Sequence, residues 1–170
     1  RRLSPGDRAA AMRYALLHWR FFERFVSSDT NWLAPDNVQD RPTLEVAMRT
    51  SPTNVGLQLL SIVSAHDLGL VTVDGMVERL EQVVRALDRM ARFRGHFFNW
   101  YDLHDLRVLE PAYISTVDSG NLAGHLIALR QACLAVIDEQ LFDARLWRTL
   151  AASIALATER RYMAGDSIAY

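Results

Sequence analysis

The sequence predicts an all-α protein in which helices buried on most sides alternate with helices that expose one face. Serine or threonine recurs directly ahead of long runs with helical apolar spacing, which is typical of helix starts. No run alternates apolar and polar residues convincingly, apart from a possible short hairpin within FFNWYDLHDLRVL. Such an alternation of helices is typical of a double-layered α/α toroid with an inner and an outer ring. An ordinary helical bundle or a solenoid is the competing interpretation.

The composition indicates a globular protein. The chain has 170 residues, of which 50% are hydrophobic and 23% charged, and its net charge is −1, which is typical of a chain that can bury a core. It contains no basic block, so we do not expect a nucleic-acid partner. It also lacks a run of the ~20 apolar residues that a membrane span needs. It does not begin with methionine and stops at GDSIAY, so we expect it to be part of a longer protein.

The first helix is predicted from the Ser4–Pro5 start to about Ser27, because proline is favoured in the first turn after a serine cap. Its apolar residues form two opposed stripes, and we therefore expect it to pack between two neighbours. The stripes are Met12, Leu16, Trp19 and Val26 on one side, and Tyr14, Leu17, Phe21 and Phe25 on the other.

The second and third helices differ in how much of their surface is apolar. The second begins at Ser51–Pro52, ends at Gly69 and is apolar nearly all the way round, which predicts burial on most sides. The third runs from Thr72 to about Phe93 and has one apolar stripe opposite a charged face. That pattern predicts a helix with water on one side.

The fourth and fifth helices repeat this contrast. The fourth is predicted from a Ser119 cap to about Glu139 and is again apolar on most sides, which predicts a second buried helix with Cys133 as a small buried residue. The fifth is predicted from an Asp143 cap to about Met163, and its apolar residues lie on one side only. Its apolar face is formed by Leu146, Trp147, Leu150 and Ile154.

Two polar segments precede the predicted buried helices: RTSPTN (residues 49–54) and STVDSGN (residues 115–121). The inner helices of a toroid run parallel, so both segments are expected at the same end of the molecule. Two long irregular segments, about residues 28–50 and 94–118, reach that end as well, and loops of this length are usually functional. They carry Trp32, Phe97, Phe98, Trp100, Tyr101 and Tyr113.

Aromatic, carboxylate and amide side chains at one end of a helical protein favour a carbohydrate site. Aromatic rings pack on the C–H faces of sugars, and polar side chains bind their hydroxyl groups. The five histidines show no metal-ligand spacing. Neither a phosphate-binding glycine loop nor a GxSxG motif is present. The sequence therefore predicts a site without a metal or a cofactor.

The chain resembles the cyclic β-1,2-glucan synthases in three segments: NWLAPDNVQD, RTSPTNVGLQLLS and RFRGHFFNWYDLHDLRVLEPAYISTVDSGNLAGHLIAL. The similar region is the glucoamylase-like one between the glycosyltransferase and phosphorylase domains, and it spans about Leu3 to Ala135. The resemblance implies a partial (α/α)6 toroid, with residues 1–170 as the N-terminal part of that domain. It also implies that the domain closes β-1,2-glucan chains into rings by transglycosylation.

The same resemblance implies partners and a location. The partners would be β-1,2-glucan, linear or cyclic, and the other domains of the same polypeptide. The whole protein would be a bacterial inner-membrane protein with this domain on the cytoplasmic side. We expect the isolated fragment to be inactive.

A more distant similarity to the endo-β-1,2-glucanases concerns the site itself. Their pattern F.HF.D…E.STID is matched by Phe97, Asp102, Ser115, Thr116 and Asp118, with Tyr113 at the glutamate position. We expect Asp118 to be one carboxylate of the site, in a catalytic or sugar-binding role, with Asp36, Asp102 or a residue outside the chain as its partner. The residues expected to bind substrate are Asp36, Asn37, Arg49, Asn54, His96, Trp100, Tyr101, Asp102, Tyr113 and Asn121.

Each of these residues also has a purely structural interpretation. Asp118 can belong to the turn into the fourth helix, where the helix dipole favours a carboxylate. Arg49 can form an ion pair with Asp118 or Asp36. Two other functions are open at this point: a β-glucan hydrolase or phosphorylase, and a non-catalytic glycan-binding scaffold that joins two enzymes.

Overall fold

The computed structural model describes residues 4–137 and 144–165, and this part of the chain is mainly helical. The described helices are α1 (Pro5–Phe25), α2 (Pro52–Asp67), α3 (Val73–Arg89), α4 (Thr116–Val136) and α5 (Ala144–Gly165), with a 3-10 turn at Ser28–Thr30. None of them is both long and apolar enough to cross a membrane.

Three pairs of short strands among the described residues lie in or beside the long loops, and one pair connects the second loop to the start of α2. The antiparallel pairs are β1 (Val38–Gln39) with β2 (Glu45–Val46), β3 (Arg49–Thr50) with β6 (Tyr101–Asp102), and β4 (Arg92–Phe93) with β5 (His96–Phe97). Because β3 leads directly into α2, its pairing with β6 holds the 94–118 segment beside that helix start. The predicted hairpin within FFNWYDLHDLRVL is confirmed only in part, as a bridge between Tyr101 and Val108.

Hydroxyl caps begin the first three helices at the predicted positions. The side chains of Ser4, Ser51 and Thr72 each accept a hydrogen bond from the backbone N–H three residues further on, at 3.1 to 3.2 Å. Each cap satisfies one of the backbone donors that a helix start leaves unpaired. Asp143, the predicted cap of the fifth helix, lies outside the described residues.

The start of α4 differs from the prediction. Ser115, not Ser119, caps the helix, since its Oγ accepts from the N–H of Asp118 at 3.1 Å. The backbone N–H of Ser119 already bonds the carbonyl of Ser115 at 3.0 Å, so Ser119 lies within the first turn. Three hydroxyl residues were available as caps, and the first of them begins the helix.

The core lies around α2, as predicted for a helix that is apolar nearly all the way round. Val55, Leu59 and Ile62 are almost fully buried. The one-sided third helix is confirmed as well, since α3 packs its apolar stripe against α2 and keeps its charged face exposed. The core is completed by Leu33, Val83, Ala86, Leu103 and Leu106, which come from α3 and the long loops.

Tyr101 belongs to this core, so the prediction that it binds sugar is wrong. Its side chain is 0% exposed. Its hydroxyl donates to the carbonyl of Ala91 at 2.6 Å and accepts from the N–H of Phe98 at 2.7 Å. Burial raises the pKa of Tyr101 above its ordinary value. The phenol ties the loop to the end of α3, and it has no surface left for a ligand.

The helices α2 and α4 pack side by side and run parallel, as predicted. Thr53 near the start of α2 contacts Asp118 and Asn121 near the start of α4. One turn further along, Gly56 lies against the ring of His125. Contacts that advance in the same order along both helices require parallel axes. The segments RTSPTN and STVDSGN therefore lie at the same end of the fold.

The prediction that α4 is buried on most sides is wrong for the described residues. Leu122 is its only buried residue, whereas Ile127 is 67% exposed and Cys133 is exposed as well. The helix packs on α2 along one side, and its other apolar side faces no helix of the described part. An apolar pattern states which surface a helix can bury, but burial also requires a neighbour.

The outer helices α1 and α5 also pack differently from the prediction. Leu16 and Trp19 of α1 are buried, but Tyr14 in its second stripe is exposed, so α1 is not enclosed on both sides. In α5, Thr149 is buried and donates to the carbonyl of Leu68 at 2.9 Å. The predicted apolar face of α5 points outward, with Trp147 75% exposed; the side chain of Leu146 lies outside the described part.

We expect the 170-residue chain to associate when it is expressed alone, because the apolar side chains of Leu126, Ile127 and Leu134 on α4 are exposed. Ile127→Glu should weaken this association, since it places a charge among these side chains. Gln39→Glu adds the same charge at an exposed polar position in β1, away from α4, and serves as the control. Sedimentation velocity at several concentrations measures the effect. A monodisperse wild-type monomer would contradict the expectation.

We expect Gly56→Ala to lower the free energy of unfolding by about 1 to 3 kcal/mol, the usual cost of overpacking. A Cβ at this position would lie 2.9 Å from Cγ and 3.1 Å from Cβ of His125, so the His125 side chain or α4 itself would have to shift. At Gly120 and Gly124 a Cβ meets nothing within 4 Å, and alanine there should stabilise α4 by up to about 1 kcal/mol. Urea denaturation compares the three variants. Equal effects at Gly56 and Gly124 would show that the two helices are not in close contact.

Candidate functional site

The starts of α2 and α4 share a chain of polar contacts. The hydroxyl of Thr53 donates to Oδ1 of Asp118 at 2.5 Å, and Nδ2 of Asn121 donates to Oγ1 of Thr53 at 3.1 Å. Asp118 and Asn121, both expected in the site, are therefore brought together by a residue that sequence analysis did not single out. The signal was present, because Thr53 lies inside RTSPTN at the start of a helix expected to run parallel to α4.

The orientation of the Asp118 side chain favours a functional role over a role in capping its own helix. The spacing from Ser115 to Asp118 is that of a capping box, in which the acidic side chain folds back to the N–H of the cap residue. Here the carboxylate instead contacts Thr53 on the neighbouring helix. Its second oxygen, Oδ2, has no hydrogen-bond partner among the described residues. Asp118 is therefore held at one oxygen and available at the other.

A second carboxylate, Asp36, lies against the first turn of α2 and is fully engaged. Its Oδ1 accepts from Nδ2 of Asn54 at 3.1 Å. Its Oδ2 accepts from Nη2 of Arg49 and Nδ2 of Asn37, both at 3.1 Å. The side chain is only 18% exposed. Asp36 thus organises three other residues of the predicted site and has little capacity left for a ligand.

Arg49 lies between Asp36 and Trp100. Its guanidinium bonds the carboxylate of Asp36 and stands 4.5 Å from the centre of the Trp100 ring, a cation–π geometry. Of the two ion pairs considered from the sequence, the one with Asp36 is formed. The guanidinium covers one face of the half-buried indole, so the opposite face is the one that a sugar ring would use.

Asp102 builds its own turn. Its Oδ1 accepts from the N–H of His104 at 2.8 Å, and its Oδ2 lies 3.4 Å from Nη2 of Arg107. The backbone of Asp102 pairs with that of Arg49 across the β3–β6 ladder. The structural contribution of Asp102 is thus to place the 94–118 segment beside the start of α2, and its role as the carboxylate partner of Asp118 stays a prediction.

The remaining predicted binding residues lie in the loops around this cluster. His96 is exposed in β5 and pairs with Phe93. Tyr113 is exposed, and its carbonyl accepts from the N–H of Asn99 at 2.9 Å. Neither residue contacts Asp118 or Asp36, so their role in binding stays a prediction. Among residues 4–137 and 144–165, no group of histidine, cysteine and acidic side chains is arranged to hold a metal ion.

No protein-family model matches the chain. In sequence, the chain is 51% identical over 115 residues to cyclic β-(1,2)-glucan synthase NdvB of Rhizobium meliloti (strain 1021), and the match covers 68% of the chain and 4% of that protein. The chain therefore corresponds to a small part of the synthase's length.

In structure, the chain is similar to two crystal structures of candidate glucoamylases. The one from Bacteroides caccae matches 86% of the chain and 36% of its own length, with a TM-score of 0.59 and 21% identity. The one from Bacteroides fragilis matches 88% of the chain and 35% of its own length, with a TM-score of 0.62 and 16% identity. At this identity the likeness concerns the fold alone, and it confirms the α/α-toroid type. The chain is thus related in sequence to a region of the cyclic β-(1,2)-glucan synthases, and it has a glucoamylase-like helical fold.

Proposed function

We propose that the chain is part of a cyclic β-1,2-glucan synthase, in a domain that rearranges or cyclises β-1,2-glucan by transglycosylation. The observation that carries this proposal is the placement of Asp118. In a chain 51% identical to a region of such a synthase, its carboxylate turns away from its own helix start to contact Thr53. The proposal extends to substrate and partners: β-1,2-glucan and the other domains of the same polypeptide.

The different environments of the two carboxylates assign them different roles. Glycoside chemistry needs two carboxyl groups, one acting as the acid and one as the nucleophile or base. Asp118 has one free oxygen and stands at a helix N-terminus, where backbone N–H groups and the dipole stabilise negative charge. It suits a nucleophile, a base or a group that binds a sugar hydroxyl. Asp36 is saturated by donors from three residues, so it acts as a positioning residue for Arg49 and Asn54.

The residues around Asp118 suit a sugar ring. The face of Trp100 that Arg49 does not cover is the aromatic surface we assign to the C–H groups of a glucose unit. Asn54, Asn121 and Arg49 provide N–H donors for hydroxyl oxygens. The second catalytic carboxyl group is not supplied by this cluster, and we assign it to another part of the polypeptide, since the chain corresponds to only 4% of its synthase relative.

A non-catalytic glycan-binding role is the second candidate, because the cluster holds one available carboxylate rather than two. It predicts that loss of the Asp118 charge changes glucan affinity without changing the rate at which glucan chains are rearranged. Measuring both glucan affinity and the rate of rearrangement in one variant, Asp118→Asn, therefore distinguishes the two candidate functions.

We expect Asp118→Asn, made in the intact polypeptide, to lower the formation of cyclic glucan from linear β-1,2-glucan by at least ~100-fold, the lower range for acid–base residues. The amide keeps the shape of the side chain and removes its charge. Asp88→Asn is the matched control, because Asp88 is exposed on the outer face of α3. Thermal melting verifies the fold, and mass spectrometry follows the cyclic product. Cyclisation near the wild-type rate in a normally melting variant would contradict the catalytic proposal. A changed glucan affinity in that variant would then support the binding role, and an unchanged affinity would leave Asp118 a purely structural role.

We expect Trp100→Ala to weaken the binding of linear β-1,2-glucan about fivefold, which corresponds to the ~1 kcal/mol that a stacked aromatic contributes beyond its buried area. Calorimetry on the intact polypeptide measures the affinity. Trp147→Ala removes an indole that is 75% exposed on α5, away from the site, and should leave the affinity unchanged. Equal affinities for both variants and the wild type would show that Trp100 only supports Arg49.

A further inference from the structure

A cavity separate from the Asp118 cluster lies between α1, α2, α3 and the loop that follows α1. Its volume is about 330 Å³, at the lower end of the range for small-molecule sites. The lining that matters for recognition is mixed: the aromatic residues Trp19 and Trp32, with Glu23, Glu78, Arg79 and Gln82. None of these residues belongs to the site described above.

The backbone at Trp32 is held in a conformation that bulky residues rarely adopt. Asn31 and Trp32 follow one another with φ of 53° and 62°, both in the left-handed region. Such a conformation persists only where the surroundings hold it, and it is concentrated at functional sites. It turns a tryptophan towards the cavity while leaving it 36% exposed.

The contacts that hold this turn are buried and specific. The side chain of Gln58, only 2% exposed, donates to the carbonyl of Trp32 at 2.9 Å and accepts from the N–H of Ala34 at 2.8 Å. On the other side, Nδ2 of Asn31 donates to the carbonyl of Leu103 at 2.7 Å. The backbone that carries the indole is therefore held by groups that do not themselves need a ligand.

The charges in the cavity select among ligand classes. Glu23 accepts from Nε1 of Trp19 at 3.0 Å, and Glu78 lies nearby on α3 with its side chain exposed. Arg79 stands 5.8 Å from the centre of the Trp19 ring and donates to the carbonyl of Gly75 at 3.0 Å. Two carboxylates oppose the binding of an anion, and the guanidinium opposes a cation. A neutral ring with many hydroxyl groups can use the acceptors, the donors and the aromatic surface together.

We propose that this cavity is a second sugar-binding subsite, which takes a pyranose unit of a neutral glucan and holds the chain away from Asp118. The indole of Trp32 contacts the C–H face of the ring, and Glu78 and Gln82 bind its hydroxyl edge. This assignment of glucan as the ligand rests on the proposed function. The subsite itself shares no residue with the Asp118 cluster, so the two can be tested apart.

The test measures binding of linear β-1,2-glucan oligosaccharides by calorimetry in the intact polypeptide that carries Asp118→Asn, in which we expect turnover to be at least ~100-fold slower. Trp32→Gly is the first variant, because glycine accepts the positive φ at no steric cost and only the indole is lost. Glu78→Gln is the second, with Glu81→Gln as its control, since Glu81 is exposed on the same helix outside this cavity. We expect Trp32→Gly to weaken binding by about 2- to 12-fold, the range for one aromatic contact. We expect Glu78→Gln to weaken it by about the same factor, since a charge-assisted hydrogen bond is replaced by a neutral one, and Glu81→Gln to have no effect.

The outcomes separate this subsite from the proposed function. Weaker binding in both cavity variants, together with normal cyclisation in Asp118→Asn alone, would support the subsite and contradict the catalytic proposal. Unchanged binding in both cavity variants overturns the subsite, whatever Asp118→Asn does to cyclisation. Absence of any glucan binding to the parent polypeptide also overturns it.

Discussion

The close parallel contact of α2 with α4 is the constraint on which the rest of the site depends. Gly56 permits it, because any larger residue would overlap the ring of His125. Once the two helices lie side by side in the same direction, their N-termini meet, and so do the backbone donors and partial positive charges that every helix start carries. Thr53 then needs only its own short side chain to reach Asp118 and Asn121. An antiparallel arrangement would place these residues at opposite ends of the fold.

Both inner helices use the same local device to direct a polar side chain outward. A serine caps the N–H of the residue three positions on, which is Asn54 in α2 and Asp118 in α4. In α1 the corresponding residue, Asp7, folds back to the N–H of its cap serine, whereas the side chains of Asn54 and Asp118 bond to other elements instead. Asn54 binds Asp36 in the preceding loop, and Asp118 reaches across to the other helix. One carboxylate ends up saturated and the other available, which is the difference that assigns their roles.

The outer surface of the fold carries two features with opposite chemistry. The cavity beside Trp32 is enclosed by three helices and a rigid turn, and its polar groups of both signs favour a neutral ligand. The exposed side of α4 is apolar, and it faces no helix of the described residues. The first has the residues of a binding site, whereas the second has only a surface that water solvates poorly. The two should therefore be treated separately in any variant that changes solubility or binding.

The sequence by itself determined the helices, the starts of the first three and the end of the molecule where the polar groups gather, because caps and apolar periodicity act over a few residues. It also determined that α2 is central and that α3 exposes one face. Only the tertiary structure decided that Ser115 rather than Ser119 begins α4, that Tyr101 is a core residue rather than a ligand contact, and that Arg49 pairs with Asp36. It also decided that α4 and α5 expose apolar faces predicted to be covered. These outcomes depend on contacts between residues that are distant in the chain. A periodic apolar pattern carries no information about such contacts.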